Sequence, residues 1–268
     1  MIRKWLLVLG FIHAYRRWDW ILFIHRQLKR SGAQVLRLKG KAGGPDLQIG
    51  ADVFHLRGHD SSDLEVFFQV FSSKEYSGLC DFLEMYYGRD ARVFFVDGGA
   101  NVGLATAYCA ARMPAMTSVG IEPFEANFQL ANWNAHYDQL WLAALGADAG
   151  SHVKLIDTKV PHWQWGIRTQ VDPEGQIPVK TLKEIVEAYA GRTFDVRVLK
   201  LDIEGAEFEV IHGSPDEVLL GFDVIVVEMH GTPQENKGLV ERLRQLGFLG
   251  LPMGEYWTFL TGVNRVSG

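Results

Sequence analysis

At 268 residues, 47% of them hydrophobic and 12% aromatic, the chain is long and apolar enough for one large domain with a sizeable core, which excludes a disordered or disulfide-stapled small protein. Its net charge of -5 is uneven: residues 1–41 hold ten Lys/Arg against the single acid Asp19, so this arm is +9 and the remainder -14. An acidic body argues against nucleic acid as a partner, because duplex affinity comes mostly from neutralised phosphates.

In the arm, "WLLVLGFI" (Trp5 to Ile12) follows Arg3 and Lys4 like a short signal core, but "HAYRRWDW" stands where a small-residue cleavage site belongs. Eight apolar residues are also too few to span a bilayer. Two readings of residues 1–41 stay open: a basic, Trp-rich helix that meets a membrane surface or a lipid-linked acceptor, or a helix that packs on its own domain or on a second subunit. The Gly- and Lys-rich segment Leu38 to Gly50 is expected to be a linker, which divides the chain into an arm (1–50) and a main domain (51–268). Cys80 and Cys109 have no His or Cys at ligand spacing and read as reduced core thiols of a cytoplasmic protein, peripheral on the inner membrane surface if the arm binds lipid. Ser72 with Glu75 predicts a capping box for a helix that ends at Gly88.

From Arg92 the chain alternates: strand "RVFFVD", helix "GLATAYCAARM", strand "TSVGIE", helix "FEANFQLANWNAH", strand "LWLAALGA". Asp148 to Pro178, with "PHWQWG", reads as an inserted hairpin or loop. Alternation resumes with a helix capped by Thr181 and Glu184, strand "VRVLKLD", helix "GAEFEVIHG", strand "DVIVVEMHG", helix "QENKGLVERLRQLG" and the segments "FLGLP" and "YWTFLTG". The pattern predicts an α/β fold, a doubly wound, mostly parallel seven-stranded sheet with a helical arm before it, whose ligands bind at the carboxyl ends of the strands.

In "VFFVDGGANVG", Asp97 ends the first strand of this series, and Gly99, Asn101 and Gly103 turn the chain into a helix. Glycine is expected there because a close ligand leaves no room for a Cβ. The dinucleotide fingerprint fails, since Asn101 and Leu104 stand where it needs glycines, and no phosphate loop Gly-Lys-Ser/Thr is present after this strand. An acid at this turn suits a ligand with a positive amino group. Glu122, with Pro123 after it, ends the next strand, where a carboxylate accepts bonds from both hydroxyls of an adenosine ribose. Asp97, Gly99, Gly103 and Glu122 together describe a site for S-adenosylmethionine.

In order, "VDGGANVG", "IEPFEANFQLANWN", "LKLDIEGAEFEVIHGS" and "VIVVEMHG" resemble the FkbM-like methyltransferases, over about Leu64 to Gly231. The resemblance implies a class I S-adenosylmethionine-dependent fold and, most often, O-methylation of a sugar or natural-product hydroxyl. It also implies that Asn101, Glu122 and Asn127 lie on the cofactor side and that Asp148 meets the adenine amine. Leu182-Lys183 departs from the Leu-Asp frequent in the family, at a helix start outside the expected site.

Asp202, Glu204, Glu207 and Glu209 crowd the end of "VRVLKLD", and Glu228 with His230 ends the next strand. A neutral alcohol attacks a sulfonium slowly unless its proton is removed. Two devices are open: His230 or a carboxylate accepts the proton, with His230 first because its ordinary pKa lies nearest working pH, or Asp202, Glu228 and His230 hold Mg or Mn that acidifies the hydroxyl. Glu204 and Glu207 are expected on one face of a helical first turn, facing the acceptor, and Glu209 in solvent; Lys200 is a counter-ion for the cluster. Trp163 and Trp165 are candidates to stack on a sugar. The reading is an O-methyltransferase for a sugar-containing or small-molecule acceptor; its rivals are an N-methyltransferase and a non-catalytic cofactor-binding partner of a glycan synthesis complex.

Overall fold

The computed structural model describes residues 18–58, 61–156, 168–253 and 256–261. Helix α1 (Trp18–Ser31) leads into a three-stranded antiparallel sheet of β1 (Gln34–Arg37), β2 (Asp46–Ile49) and β3 (Asp52–His55). The segment expected as a linker therefore holds β2, whose Asp46 and Leu47 are buried, and a boundary at residue 50 would cut the β2–β3 hairpin. Leu47 is an apolar residue with a core to enter, so Gly and Lys around it mark the turns of a small sheet rather than a tether. Asn134 fastens this sheet to the main body: it accepts from the His55 amide (2.7 Å) and donates to the carbonyls of His55 and Val102 (3.0 Å each).

Short α2 (Asp63–Phe67) runs into a π-helical turn, Phe68–Ser72, and then α3 (Ser77–Tyr87). The capping box expected at Ser72 does not form: the Ser72 hydroxyl donates to the Gln27 carbonyl, and α3 begins at Ser77 without a side-chain cap. Gly88 ends α3 as expected, at φ 85.

Strands β4 (Val93–Gly98), β5 (Thr117–Glu122), β6 (Gln139–Leu142), β11 (Val196–Leu201), β12 (Val224–Glu228), β13 (Phe248–Met253) and β14 (Tyr256–Thr261) form one sheet in the order β13-β14-β12-β11-β4-β5-β6. All neighbours are parallel except those of β14, which runs antiparallel between β12 and β13. Helices α4 (Leu104–Arg112), α5 (Glu125–Asn134), α6 (Leu182–Ala188), α7 (Glu207–Gly213), α8 (Asp216–Leu219) and α9 (Pro233–Gln245) make the connections. Both faces are covered, so Phe95, Val198 and Val226 enter one core while Phe94, Val96, Leu199 and Val227 enter the other, which is why these strands read as unbroken apolar runs. The expected insertion is a second sheet of order β7-β10-β8-β9, from β7 (Ala144–Leu145), β8 (His152–Ile156), β9 (Arg168–Val171) and β10 (Ile177–Lys180). The strand "LWLAALGA" thus splits, its first half in the large sheet and Ala144–Leu145 in the small one. Capping boxes at Thr181/Glu184 and Thr232/Glu235 start α6 and α9. Among the described residues no helix is long and apolar enough to cross a membrane.

The chain leaves β4 toward β5 and β6 on one side and returns through β11 and β12 on the other, so the crossing point of a doubly wound sheet lies between β4 and β11. Register levels the carboxyl ends there: Gly98 stands beside Leu201 and Ile121, and Leu201 beside Val227. Gly99, Glu122, Asp202 and Glu228, at the ends of four neighbouring strands, therefore converge on one site.

Candidate active site

Gly99 (φ 76) and Gly103 (φ 83) are left-handed, as is Asn101 (φ 49), so the turn needs two glycines and a residue that tolerates this region. The chain itself crowds the turn: a Cβ on Gly99 would lie 1.8 Å from the Asp202 carbonyl oxygen, and one on Gly103 2.9 Å from Ala131 Cα. The glycine loop and the Asp202 strand end are one packed unit. Gly99→Ala is expected to cost about 2 kcal/mol or more in a denaturant melt, against about 1 kcal/mol for Gly150→Ala, where φ is also positive but the added carbon meets nothing within 4 Å. Equal losses would show that the contact with Asp202 is slack.

Asp97 does not face a ligand. It is fully buried and its carboxylate accepts from Thr106 Oγ1 (2.7 Å), Lys200 Nζ (2.9 Å) and the Tyr137 hydroxyl (3.3 Å). Lys200 is the hub: 2% exposed, it also donates to the Gly99 carbonyl (2.9 Å) and lies 3.6 Å from Asp202 Oδ2. Burial works against its charge, but Asp97 and the nearby Asp202 more than offset this and hold its pKa well above the usual lysine value. An ammonium in the interior thus ties the glycine loop to the acidic strand end.

Glu122 is 4% exposed and accepts from the amides of Asn101 (2.8 Å) and Phe124 (2.9 Å) and, at 3.4 Å, from Asn127. Arg57 pairs with Asp63 and donates to Asn127 Oδ1 (2.8 Å), which fixes the amide orientation of Asn127. Three donors on about four lone-pair directions leave room for a further hydroxyl. Burial raises the Glu122 pKa to about 7, against the pull of its two backbone donors. Pro123 leads from this carboxylate into α5. Asp148 lines a pocket of about 260 Å³ together with Leu145, Val153, Arg168, Ile203 and Glu204. A carboxylate with spare acceptor capacity at a strand end, beside a glycine turn whose one lysine, Lys200, is buried and committed to Asp97 and the Gly99 carbonyl, suits a ribose hydroxyl.

The acidic end of β11 departs from expectation in its local structure. Glu204 is not helical: it sits in the loop before α7 at φ 59, an uncommon conformation for a non-glycine residue, of the kind that clusters at functional sites. Glu207 opens α7 but faces no acceptor; buried, its carboxylate accepts from the Ile203 amide (2.9 Å) and the Gly205 amide (3.0 Å) and pairs with His230 Nδ1 (2.8 Å). Its work is to brace the loop that presents Glu204. Glu209 is exposed on α7, as expected, at the edge of the pocket that Asp148 and Glu204 line.

His230 Nε2 faces Glu228 Oε1 (3.3 Å), Glu204 Oε2 (3.9 Å) and Asp202 Oδ1 (4.0 Å). Burial lowers its pKa, yet the bonds to Glu207 and Glu228 overcome this and raise it to about 11. An imidazole so placed favours its protonated form, which is at odds with the proton-acceptor role expected from its ordinary pKa. Glu204 beside it is raised by burial to about 7. Tyr256 donates to Asp202 Oδ2 (3.3 Å) and meets the Tyr76 hydroxyl (2.8 Å), an inner contact with no signal in the sequence. Trp163 and Trp165 lie outside the described residues.

This sheet order and this strand-end site define the class I methyltransferases. The chain belongs to the FkbM methyltransferase family, whose Methyltransferase FkbM domain matches residues 97–249, and membership implies S-adenosylmethionine as methyl donor. It is similar to Methyltransferase 1 of Beauveria bassiana (strain ARSEF 2860), 28% identical over 163 residues, which is 51% of this chain and 64% of that protein, so the match spans less than two thirds of the relative. Among solved structures it is similar to Streptomyces venezuelae DesVI (TM-score 0.41, 9% identity, 74% of this chain and 96% of that one). The sugar N-methyltransferase KedS8 from Streptoalloteichus sp ATCC 53650 is comparable (TM-score 0.37, 10% identity, 80% and 98%).

If Glu122 accepts from the cofactor ribose, Glu122→Gln is expected to weaken S-adenosylhomocysteine binding by about 1.5–3 kcal/mol in isothermal titration, with NAD giving no heat. Unchanged affinity would remove Glu122 from the cofactor side.

Proposed function

We propose that the chain transfers a methyl group from S-adenosylmethionine to a hydroxyl of a sugar-containing acceptor, with Glu204 as proton acceptor. The carrying observation is the strained Glu204 loop, which presents a carboxylate of pKa about 7 beside a locked imidazolium. Bound cofactor supplies an electrophilic methyl; the protein aligns the acceptor oxygen and removes its proton as the C–O bond forms. Glu204 Oε2 takes that proton, His230 steadies the carboxylate, and Glu207 holds His230 by Nδ1. Asp202, turned inward to Lys200 and Tyr256 by one oxygen, offers the other to the cleft. A hydroxyl fits because its proton must leave as the C–O bond forms, whereas a neutral amine attacks through its lone pair and can lose its proton afterwards. Incubation of a glycan and metabolite pool with trideuteromethyl cofactor, then mass spectrometry, is expected to yield a labelled methyl ether. Label on nitrogen would replace this reading by the N-methyltransferase one.

A second reading has its own observation. Ligand atoms of Asp202, Glu228 and His230 all lie within 4.8 Å of one another, and the Glu207 bond to Nδ1 is the support that a metal-bound histidine usually has. Oxygen ligands with one imidazole fit Mg or Mn, which would acidify the hydroxyl directly. Chelator is expected to leave turnover unchanged if Glu204 is the base; loss of turnover restored by Mg or Mn would favour the cation.

A further inference from the structure

Arg26, Lys29, Arg30, Arg37, Lys39 and Lys41 lie on α1, β1 and the loop after it, and all six are exposed. Among the described residues none of the six has a carboxylate partner, whereas at least ten of the seventeen Lys/Arg after residue 41 sit in an ion pair. Lys41 instead stands over the ring of Trp133, its Nζ 3.7 Å from the centroid. Cations without carboxylate partners in one part of an otherwise acidic chain mark a surface that meets negative charge from outside.

The packing shows how the face is built. Ile24 and Leu28 of α1, with Val35, Leu38 and Ala42 of β1 and the loop after it, enter the same core, so both elements leave their basic residues on the side away from it. On α1, Phe23, Arg26 and Arg30 share a stripe by helical spacing. Large apolar side chains stand exposed among the charges: Phe23 and Leu36 at 44% each, and Trp133 at 38%. Cations interleaved with exposed apolar and aromatic groups match a lipid headgroup layer, where charge meets anionic lipid and apolar groups enter the acyl boundary. A second copy in a two-fold pairing would bring an equally positive face against this one. A duplex would leave the exposed apolar side chains without a partner and would have the acidic body nearby.

We propose that the α1–β1 face docks on an anionic lipid surface, and this is independent of the reaction proposed above. The test is co-sedimentation of the full chain with phosphatidylcholine vesicles, with and without phosphatidylglycerol. Binding is expected only with phosphatidylglycerol, falling at least about fivefold between about 0.1 and 0.5 M salt. Arg26→Glu with Arg30→Glu is expected to lower it about tenfold or more while S-adenosylhomocysteine binding stays intact. If that variant fails to fold, Arg37→Glu with Lys39→Glu gives the same reading. Equal binding to neutral vesicles, undiminished binding by a folded variant, or preference for a duplex oligonucleotide over the vesicles would each overturn the proposal.

Discussion

Lys200→Met is expected to cause the largest stability loss of any single change near the site, about 3–5 kcal/mol, because it strands the buried Asp97 carboxylate without its cation. For a chain of this size that corresponds to a fall in Tm of roughly 6–20 °C. The pair spans β4 and β11 and is almost inaccessible to water, so neither screening nor rotation can relieve the leftover charge. Adding Asp97→Asn removes the uncompensated charge, and the double variant is expected to recover more than half of the loss, since the new amide can still meet Thr106 and Tyr137. A double variant no better than Lys200→Met would mean that the lysine stabilises through its Gly99 carbonyl bond and its packed stem instead.

Glu204→Gln is expected to lower kcat by about 10²–10⁴, the usual worth of a placed general base. The pH dependence gives the sign. A base works deprotonated, so wild-type kcat/KM should rise with pH up to about 7 and then level, and the rise should vanish in Glu204→Gln. His230 stays protonated across that range, with its pKa near 11, and contributes no step at 6.5. The His230 charge also carries a stability contribution: its raised pKa means stabilisation fully present below the ordinary value of 6.5 and lost as pH rises through about 11. A kcat/KM limb near 6.5 that survives in Glu204→Gln and disappears in His230→Gln would return the base role to the histidine.

Much of the fold was legible because both faces of the large sheet are covered. Unbroken apolar strands such as "VFFVD" and "VIVVE", separated by helical spacings, leave few other arrangements, and the seven-stranded sheet is the one expected. Glu122 and Asp202 stand at strand ends for the same reason. What stayed hidden depends on contacts distant in sequence. Asp97 reads as a ligand-facing acid until Lys200, 103 positions on, is seen to occupy it. Gly99 reads as room for a ligand until the Asp202 carbonyl is seen to fill that space. His230 has an ordinary pKa as a residue type, and only the carboxylates of Asp202, Glu204, Glu207 and Glu228 around it reverse the assignment. Glu204 reads as helical because "EGAEFEV" has helical spacing, but the left-handed Glu204 and Gly205 delay the helix until Glu207. Tyr256 and Tyr76 meet near Asp202 from positions 180 residues apart, with no local pattern to announce them.

The most direct test of the site is a crystal structure of the chain with S-adenosylhomocysteine. A ribose hydroxyl is expected on the Glu122 carboxylate and the sulfur on the cleft side of Asp202, open toward Glu204. A ligand bound away from Glu122, or a sulfur walled off from Glu204, would contradict a methyl-transfer site at these strand ends.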